Sequence, residues 1–497
     1  MNIKQLTYIA VFALCFQTLN SCKSELEVEP KGSSLESNYY RNEQEAFNGL
    51  IAAYDPIGWE FGSTYGNKVG PLNAASDDCY AGGGSSTDMT TWQVWDNYTL
   101  DPANGPQLEY WRRNFSGVGR ANVILEKLPN VSMDETLKAR FTAEAKFLRA
   151  YYYFDLVRLF RNVPLFTKPV TTSEIYDVVQ AKPEDVYAQI EKDLIEAIPN
   201  LPPTVSGSER GRATKGAAQA LLGKVYLYQD NFGEAAKQFF EVNGTPGQTS
   251  QYGYKLLDNF GDLWKVNNKF NSESIFEVNH TSVSNGGWDC IGCTEGNVLT
   301  QMVGPRGYNG PVYSAGWGFN PITQSLFDAL HYDPRFQYTV ANIDSLEKAG
   351  LAEYEKGYMN TGYFIEKFAP KAANRSTGGG NVELNFPDNM YEIRLADTYL
   401  MEAEALVRGG GDAVRAAALL NAVRARVGLN PVAATMDNIM NERRLELATE
   451  GHRWFDLVRT GKAAEVLGPM GFIAGKHEVL PIPLEELSNT KLEQNNY

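Results

Sequence analysis

Residues 221–243 read LLGKVYLYQDNFGEAAKQFFEVN, and the spacing in this stretch decides the fold class. Leu222-Gly223, Tyr226, Phe232, Ala235 and Phe239 occupy the small and aromatic positions of the tetratricopeptide helix–turn–helix pattern. The small residues let two helices approach, and the aromatics fill the gap to the next pair. A degenerate second copy runs from Tyr399 to Arg424, with Ala403, Leu406, Ala416 and Leu420 around a Gly409-Gly410-Gly411 turn. Gln107–Leu128 with Leu137–Phe160 supplies a third pair. The second member of that pair is apolar nearly all round, which predicts an inner helix. Pro183 opens a further helix from its favoured first-turn place, and Glu43–Tyr54 carries one apolar side. A mainly α, helical-repeat scaffold follows.

Two segments break the periodicity. From Asp55 to Pro106 the chain turns to Gly, Ser, Asn, Asp and aromatics, and Gly244 to Asn389 does so again. The second contains short strand-like runs such as Ser274–Val278 and a short helix at Thr323–Leu330. It reads as an insertion into the repeat frame. Long loops on a rigid scaffold are where binding residues gather.

Length alone, 497 residues, suggests two or three domains. The net charge of −15 argues against a nucleic-acid partner, which needs basic patches to displace counterions. Lys4 and the short apolar run Tyr8–Phe16 form a targeting segment. It ends at Leu19-Asn20-Ser21-Cys22, which resembles a bacterial lipobox, with a plain secretory signal as the alternative. Residues 1–21 are therefore expected to be a signal peptide, Cys22 a lipidation site and 22–40 an acidic tether. In the oxidising compartment this implies, Cys79, Cys290 and Cys293 remain. The CIGC run lacks the second cysteine pair of a four-ligand zinc site and does not open a helix. A local Cys290–Cys293 disulfide is expected, with Cys79 pairing to one of them as the alternative. No metal or cofactor is expected.

The stretch 436–462, MDNIMNERRLELATEGHRWFDLVRTGK, reads as one helix capped by Asp437 or Asn438. Glu450, His452, Arg453 and Asp456 stand three or four residues apart on it. They form either a carboxylate cluster for catalysis or an ion-pair network that docks helices. Paired charges more often support structure.

Several separated stretches resemble the SusD/RagB family of bacterial outer-membrane nutrient-binding lipoproteins. They are AEAKFLRAY (143–151) running on to Asn162-Val163-Pro164-Leu165; RLADTYLMEAEA (394–405) leading into LNAVRARVGL (420–429); Glu442-Arg443-Arg444 through Asp456-Leu457-Val458-Arg459; and Leu480-Pro481-Ile482-Pro483 with Gln494-Asn495-Asn496-Tyr497. The resemblance implies four tetratricopeptide-like helix pairs with loop-rich insertions at about 55–106 and 244–389, all in a single domain spanning 41–497. It also implies a lipid-anchored place on the outer membrane, facing the cell exterior, beside a SusC-like TonB-dependent transporter. Glu25, Glu27 and Glu29 resemble the surface-export signal of Bacteroidetes lipoproteins. Family members capture oligo- or polysaccharide without cleaving it, and some take peptides instead. The resemblance recasts the charged stretch 436–462 as a family signature that locks the last helices.

Sugars present hydroxyls and weakly apolar C–H faces, so a binding protein meets them with flat rings and a few polar side chains. Trp288 and Trp317 are the first candidates, because Gly286-Gly287, Gly316 and Gly318 keep their surroundings low. Trp92 and Trp95 lie in a run, Thr91–Tyr98, that a strand would accommodate. There they face opposite sides, so at most one is a platform. Tyr313 belongs to the same loop set as Trp317. Asp77 and Asp78 would accept sugar hydroxyls, or merely cap a turn. Arg375 is a further candidate for hydroxyl or carboxylate contact. Glycoside hydrolysis would need two carboxyl groups across a cleft, and no G-x-S-x-G, HExxH or P-loop motif is present. No catalytic residue is assigned.

Overall fold

The computed structural model describes residues 39–59, 67–171, 173–488 and 490–497. The targeting segment, Cys22 and the tether up to residue 38 lie outside the described residues. Behind a first helix, α1 (Glu43–Tyr54), eight helices form the scaffold: α2 (Gln107–Lys127), α3 (Glu135–Phe160), α4 (Pro183–Ala197), α5 (Lys215–Tyr228), α6 (Phe232–Asn243), α7 (Leu395–Arg408), α8 (Ala413–Arg426) and α9 (Met436–Leu447). Each packs against the next in chain order, which makes a row of four pairs. Local sequence starts the helices where they start. Asp134 accepts from the Leu137 N–H at 2.9 Å, the Thr214 hydroxyl accepts from the Ala217 N–H at 3.1 Å, and Pro183 sits in the first turn of α4. α3 is buried on all sides along Phe147–Val157 between α2 and α4. At the α5–α6 contact a Cβ on Gly223 would stand 2.7 Å from the Phe239 ring, so this approach needs glycine.

The insertion leaves and returns at adjacent places, since α6 ends at Asn243 and α7, which packs on it, begins at Leu395. Its neck is an antiparallel pair of strands, β1 (Ser274–Val278) with β4 (Met390–Arg394). A second pair, β2 (Val340–Asn342) with β3 (Tyr363–Ile365), lies within it. The insertion and the loops after α1 share a second core around Trp92, Met302, Phe319 and Phe368.

The stretch 436–462 is two helices rather than one. α9 is capped by Thr435, whose side chain accepts from the Asn438 N–H at 3.2 Å, not by Asp437 or Asn438. After Leu447 the chain turns, with Thr449 and Gly451 at φ +69° and +78°, and α10 (Arg453–Arg459) follows. The Asn73 carboxamide bridges the break, donating to the Thr449 carbonyl at 2.9 Å and accepting from the Gly451 N–H at 3.0 Å. The turn aims most of the charges at distant partners and brings Arg443 of one helix to Asp456 of the next. Glu446 meets Arg394 (2.6 Å), Arg335 (3.0 Å) and Arg426; Glu450 meets Arg394 (2.8 Å) and Lys367 (2.7 Å). Arg443 joins Asp397 and Asp456, each at 2.8 Å, and Arg459 joins Asp456 (2.7 Å) and Glu404 (2.5 Å). Arg335 and Lys367 belong to the insertion and Arg394 to its neck, so this buried network fastens the insertion to the scaffold as well as helix to helix.

Candidate ligand-binding site

Trp317 is placed by backbone pairing. After the short helix Val298–Val303 the chain turns back, and residues 316–319 run beside 301–305. The Trp317 N–H donates to the Gln301 carbonyl (3.0 Å), Gly318 to Gly304 (2.8 Å) and Phe319 to Met302 (2.9 Å). Gly316 lies directly on the Gly304 backbone, where no Cβ fits. The half-buried Trp317 ring packs on the second core. Trp288 comes from the glycine-rich loop before the disulfide and is 40% exposed. The two indoles stack at 6.1 Å between ring centroids with 29° between planes. Beside Trp317 opens a groove of about 440 Å³, lined by Gln301, Arg306, Glu355, Arg375 and Glu383 among others. Arg306 crosses it, donating to the Trp317 carbonyl at 3.2 Å and pairing with Glu355 at 3.3 Å. Flat apolar rings next to a wall of donors and acceptors of both signs suit a neutral, hydroxyl-rich chain molecule.

The other sequence candidates divide. Arg375 is exposed and lines this groove. Tyr313 does not offer its ring: it is 8% exposed, donates to Glu366 at 2.8 Å, and is covered by Tyr308 and the Lys371 ammonium. Trp92 and Trp95 lie on a helix, Thr90–Asp96, not a strand, and each is 1% exposed. Three positions apart on a helix they share a face. Trp92 packs on Phe319 and Trp95 on Trp454 and Tyr110, so both are core residues at the seam of the two cores. Asp77 and Asp78 are also spent inside. Asp77 pairs with Arg453 (2.7 Å) and Arg444 (2.9 Å), and Asp78 with Arg444 (2.8 Å). Burial pushes the Asp78 carboxyl up, whereas Arg453 and Arg444 hold Asp77 down in spite of its burial. They dock the loop after α1 onto α9 and α10.

Cys290 and Cys293 form a disulfide with their Cα atoms 5.3 Å apart, and Cys79 is a buried free thiol. The closed CIGC turn follows Trp288 by two residues. Sequence reasoning missed Arg306, Gln301, Glu355 and Glu383; Arg306 carries the same glycine-flanked signal, Gly304 and Gly307, that marked the tryptophans. A larger hollow, about 1,190 Å³, lies elsewhere, between α1 and the disulfide loop. Its one indole, Trp59, is already engaged by Arg120 at 5.1 Å and by Asp55 at 2.9 Å. The stacked, open pair marks the smaller groove as the candidate site. Among the described residues, no group of three or more His, Cys, Asp or Glu is arranged to hold a metal ion, and no helix is long and apolar enough to cross a membrane.

Taken together, the structure is a tetratricopeptide-type helical scaffold whose loop-rich insertion carries a stacked tryptophan pair beside a polar groove. Residues 272–478 match the model of the SusD family, and residues 45–227 match that of a family described as "Starch-binding associating with outer membrane". A solved "Laminarin binding SusD-like protein" is 54% identical, covering 92% of this chain and 100% of its own, with a TM-score of 0.89. Surface glycan-binding protein A from Bacteroides thetaiotaomicron, solved with laminarihexaose, is 29% identical over 92% of this chain and 100% of its own, with a TM-score of 0.84. SusD-like protein P38 of Formosa agariphila is 28% identical over 99% of both chains. This chain belongs to the SusD family.

Proposed function

We propose that this protein is a cell-surface glycan-binding lipoprotein that captures a laminarin-type glucan without cleaving it and delivers it to a SusC-like TonB-dependent transporter. The exposed Trp288–Trp317 stack beside the Arg306 groove carries the reading. It is supported by the names of the relatives, which bind laminarin or laminarihexaose, at up to 54% identity. The outer-membrane description of the matched family supports the location. We read residues 41–497 as one domain, tethered through residues 22–40 to a lipid on Cys22. The test of function is affinity electrophoresis of the purified chain through gels containing laminarin, starch, other glycans or none, with a peptide panel in parallel. Retardation by laminarin is expected; binding to peptides alone would overturn the glycan reading, and released sugar would overturn the non-catalytic one.

Two outcomes follow. Cys22→Ala is expected to move the protein from the membrane fraction to the soluble fraction while leaving glucan affinity unchanged, read by fractionation. Opening the Cys290–Cys293 disulfide with a non-thiol reductant is expected to weaken laminarin binding about 5-fold. That is the factor for ~1 kcal/mol spent on re-ordering one freed ring side chain. Far-UV circular dichroism should stay the same, because the turn lies outside both cores.

A further inference from the structure

Trp288 sits on an exposed, glycine-rich loop, Ser282–Asp289, that no helix or strand supports. A ring held this way loses affinity through its own freedom unless something fixes the backbone. The neighbouring segment 381–385 does so. The Trp288 N–H donates to Asn381 Oδ1 at 3.1 Å, and the Asn381 N–H donates to the Gly286 carbonyl at 3.3 Å. Beneath them Asn385, fully buried, spends both carboxamide hydrogens on carbonyls: Gly286 at 2.9 Å and Asn381 at 2.7 Å. The chemistry orients both amides. Asn381 faces an N–H and must present oxygen; Asn385 faces two carbonyls and must present nitrogen. Between these two asparagines, Val382 and Glu383 line the groove beside Trp317. One five-residue segment therefore holds the backbone under one ring and forms the wall beside the other.

We propose that Asn381 and Asn385 are positioning residues for glycan capture, a clasp that holds Trp288 in its stack on Trp317; this rests on the site reading above. The clasp makes opposite demands at two positions four residues apart. Asn381 acts as an acceptor toward Trp288, so Asn381→Asp keeps its function, whereas Asn381→Leu, equal in shape, removes it. Asn385 acts only as a donor, so Asn385→Asp turns a carboxylate toward two carbonyl oxygens and opens the clasp.

The test is laminarihexaose affinity of the purified chain by calorimetry for these three variants, Trp288→Ala, and the Trp288→Ala/Asn385→Asp double. Melting temperature serves as a check on folding. Asn381→Asp should bind within about 2-fold of the parent, Asn381→Leu about 5-fold more weakly and Asn385→Asp about 10-fold more weakly. The double should lose far less than the product of the two single losses, since the clasp acts chiefly through that ring and only the Val382–Glu383 wall is left to disturb. A purely structural role would add to the loss and would not separate Asp from Leu at position 381. Equal effects of Asp and Leu there, or additive losses in the double, would overturn the clasp while a loss in Trp288→Ala leaves the site standing. Full affinity in Trp288→Ala would instead overturn the site reading itself. The Asn381 pair decides the matter even if Asn385→Asp does not fold, because Asn381 is exposed and its exchange leaves both cores intact.

Discussion

Trp317→Ala is expected to weaken laminarihexaose binding by about 30-fold, with Trp288→Ala somewhat less damaging. Truncating a central aromatic anchor costs about 2 kcal/mol or more, which is that factor at 25 °C. Trp317 is the better anchor of the two. Its backbone is locked against residues 301–305, its ring rests on the second core, and its carbonyl holds Arg306, which in turn holds Glu355. Trp288 gains its position from Trp317 and from the loop beside it. The fold should survive, because the pairing that shapes the 316–319 segment is between backbones and needs no indole. Isothermal titration with a matched thermal melt checks this. A Trp317→Ala protein that binds as tightly as the parent would remove the platform from the account.

The second large effect concerns stability. Glu446→Ala is expected to cost about 3–5 kcal/mol, the range for leaving a buried charge partner uncompensated. Glu446 is fully buried against Arg394, Arg426 and Arg335. Burial alone would push its carboxyl up, yet the three guanidinia hold it well below the ordinary range. A fall of several degrees in melting temperature is expected, while the folded fraction binds glucan normally, since Glu446 lines no part of the groove. The network also sets an acid limit. Asp456, buried between Arg443 and Arg459, is held at about 2 against an ordinary 3.8. A depressed carboxylate stabilises the folded state fully above its unfolded pKa. That contribution is lost as protons bind, here from about pH 4 down to about pH 2. Asp456→Asn should therefore lower the melting temperature at pH 7 and flatten its decline through that window.

Features set by nearest neighbours along the chain were legible in the sequence. Gly223 and Phe239 announce a close helix pair because small and aromatic residues recur with the helical period. Trp288 and Trp317 stand out because glycines flank them, and the structure stacks the two rings. What the sequence concealed is pairing across distance. Asp78 meets Arg444 from 366 positions away and Asp77 meets Arg453 from 376, so nothing local shows that these carboxylates are already satisfied. Trp92 and Trp95 were ambiguous for a different reason. The helix Thr90–Asp96 has only seven residues, too few for periodicity to separate a shared helical face from opposite strand faces, and only contact with Phe319 and Trp454 settles the matter. The single helix read over 436–462 fails at Thr449–Gly451 because Asn73, far upstream, supplies the hydrogen bonds that make the break tolerable. The clasp on Trp288 was hidden likewise, since Asn381 and Asn385 reach it from 93 and more positions downstream.

The most direct test of the account is a calorimetric titration of the purified chain with laminarihexaose, followed by chromatography of the recovered sugar. Saturable binding that Trp317→Ala largely abolishes is expected, with the hexaose recovered intact. No heat of binding, or shorter glucans in the eluate, would contradict it.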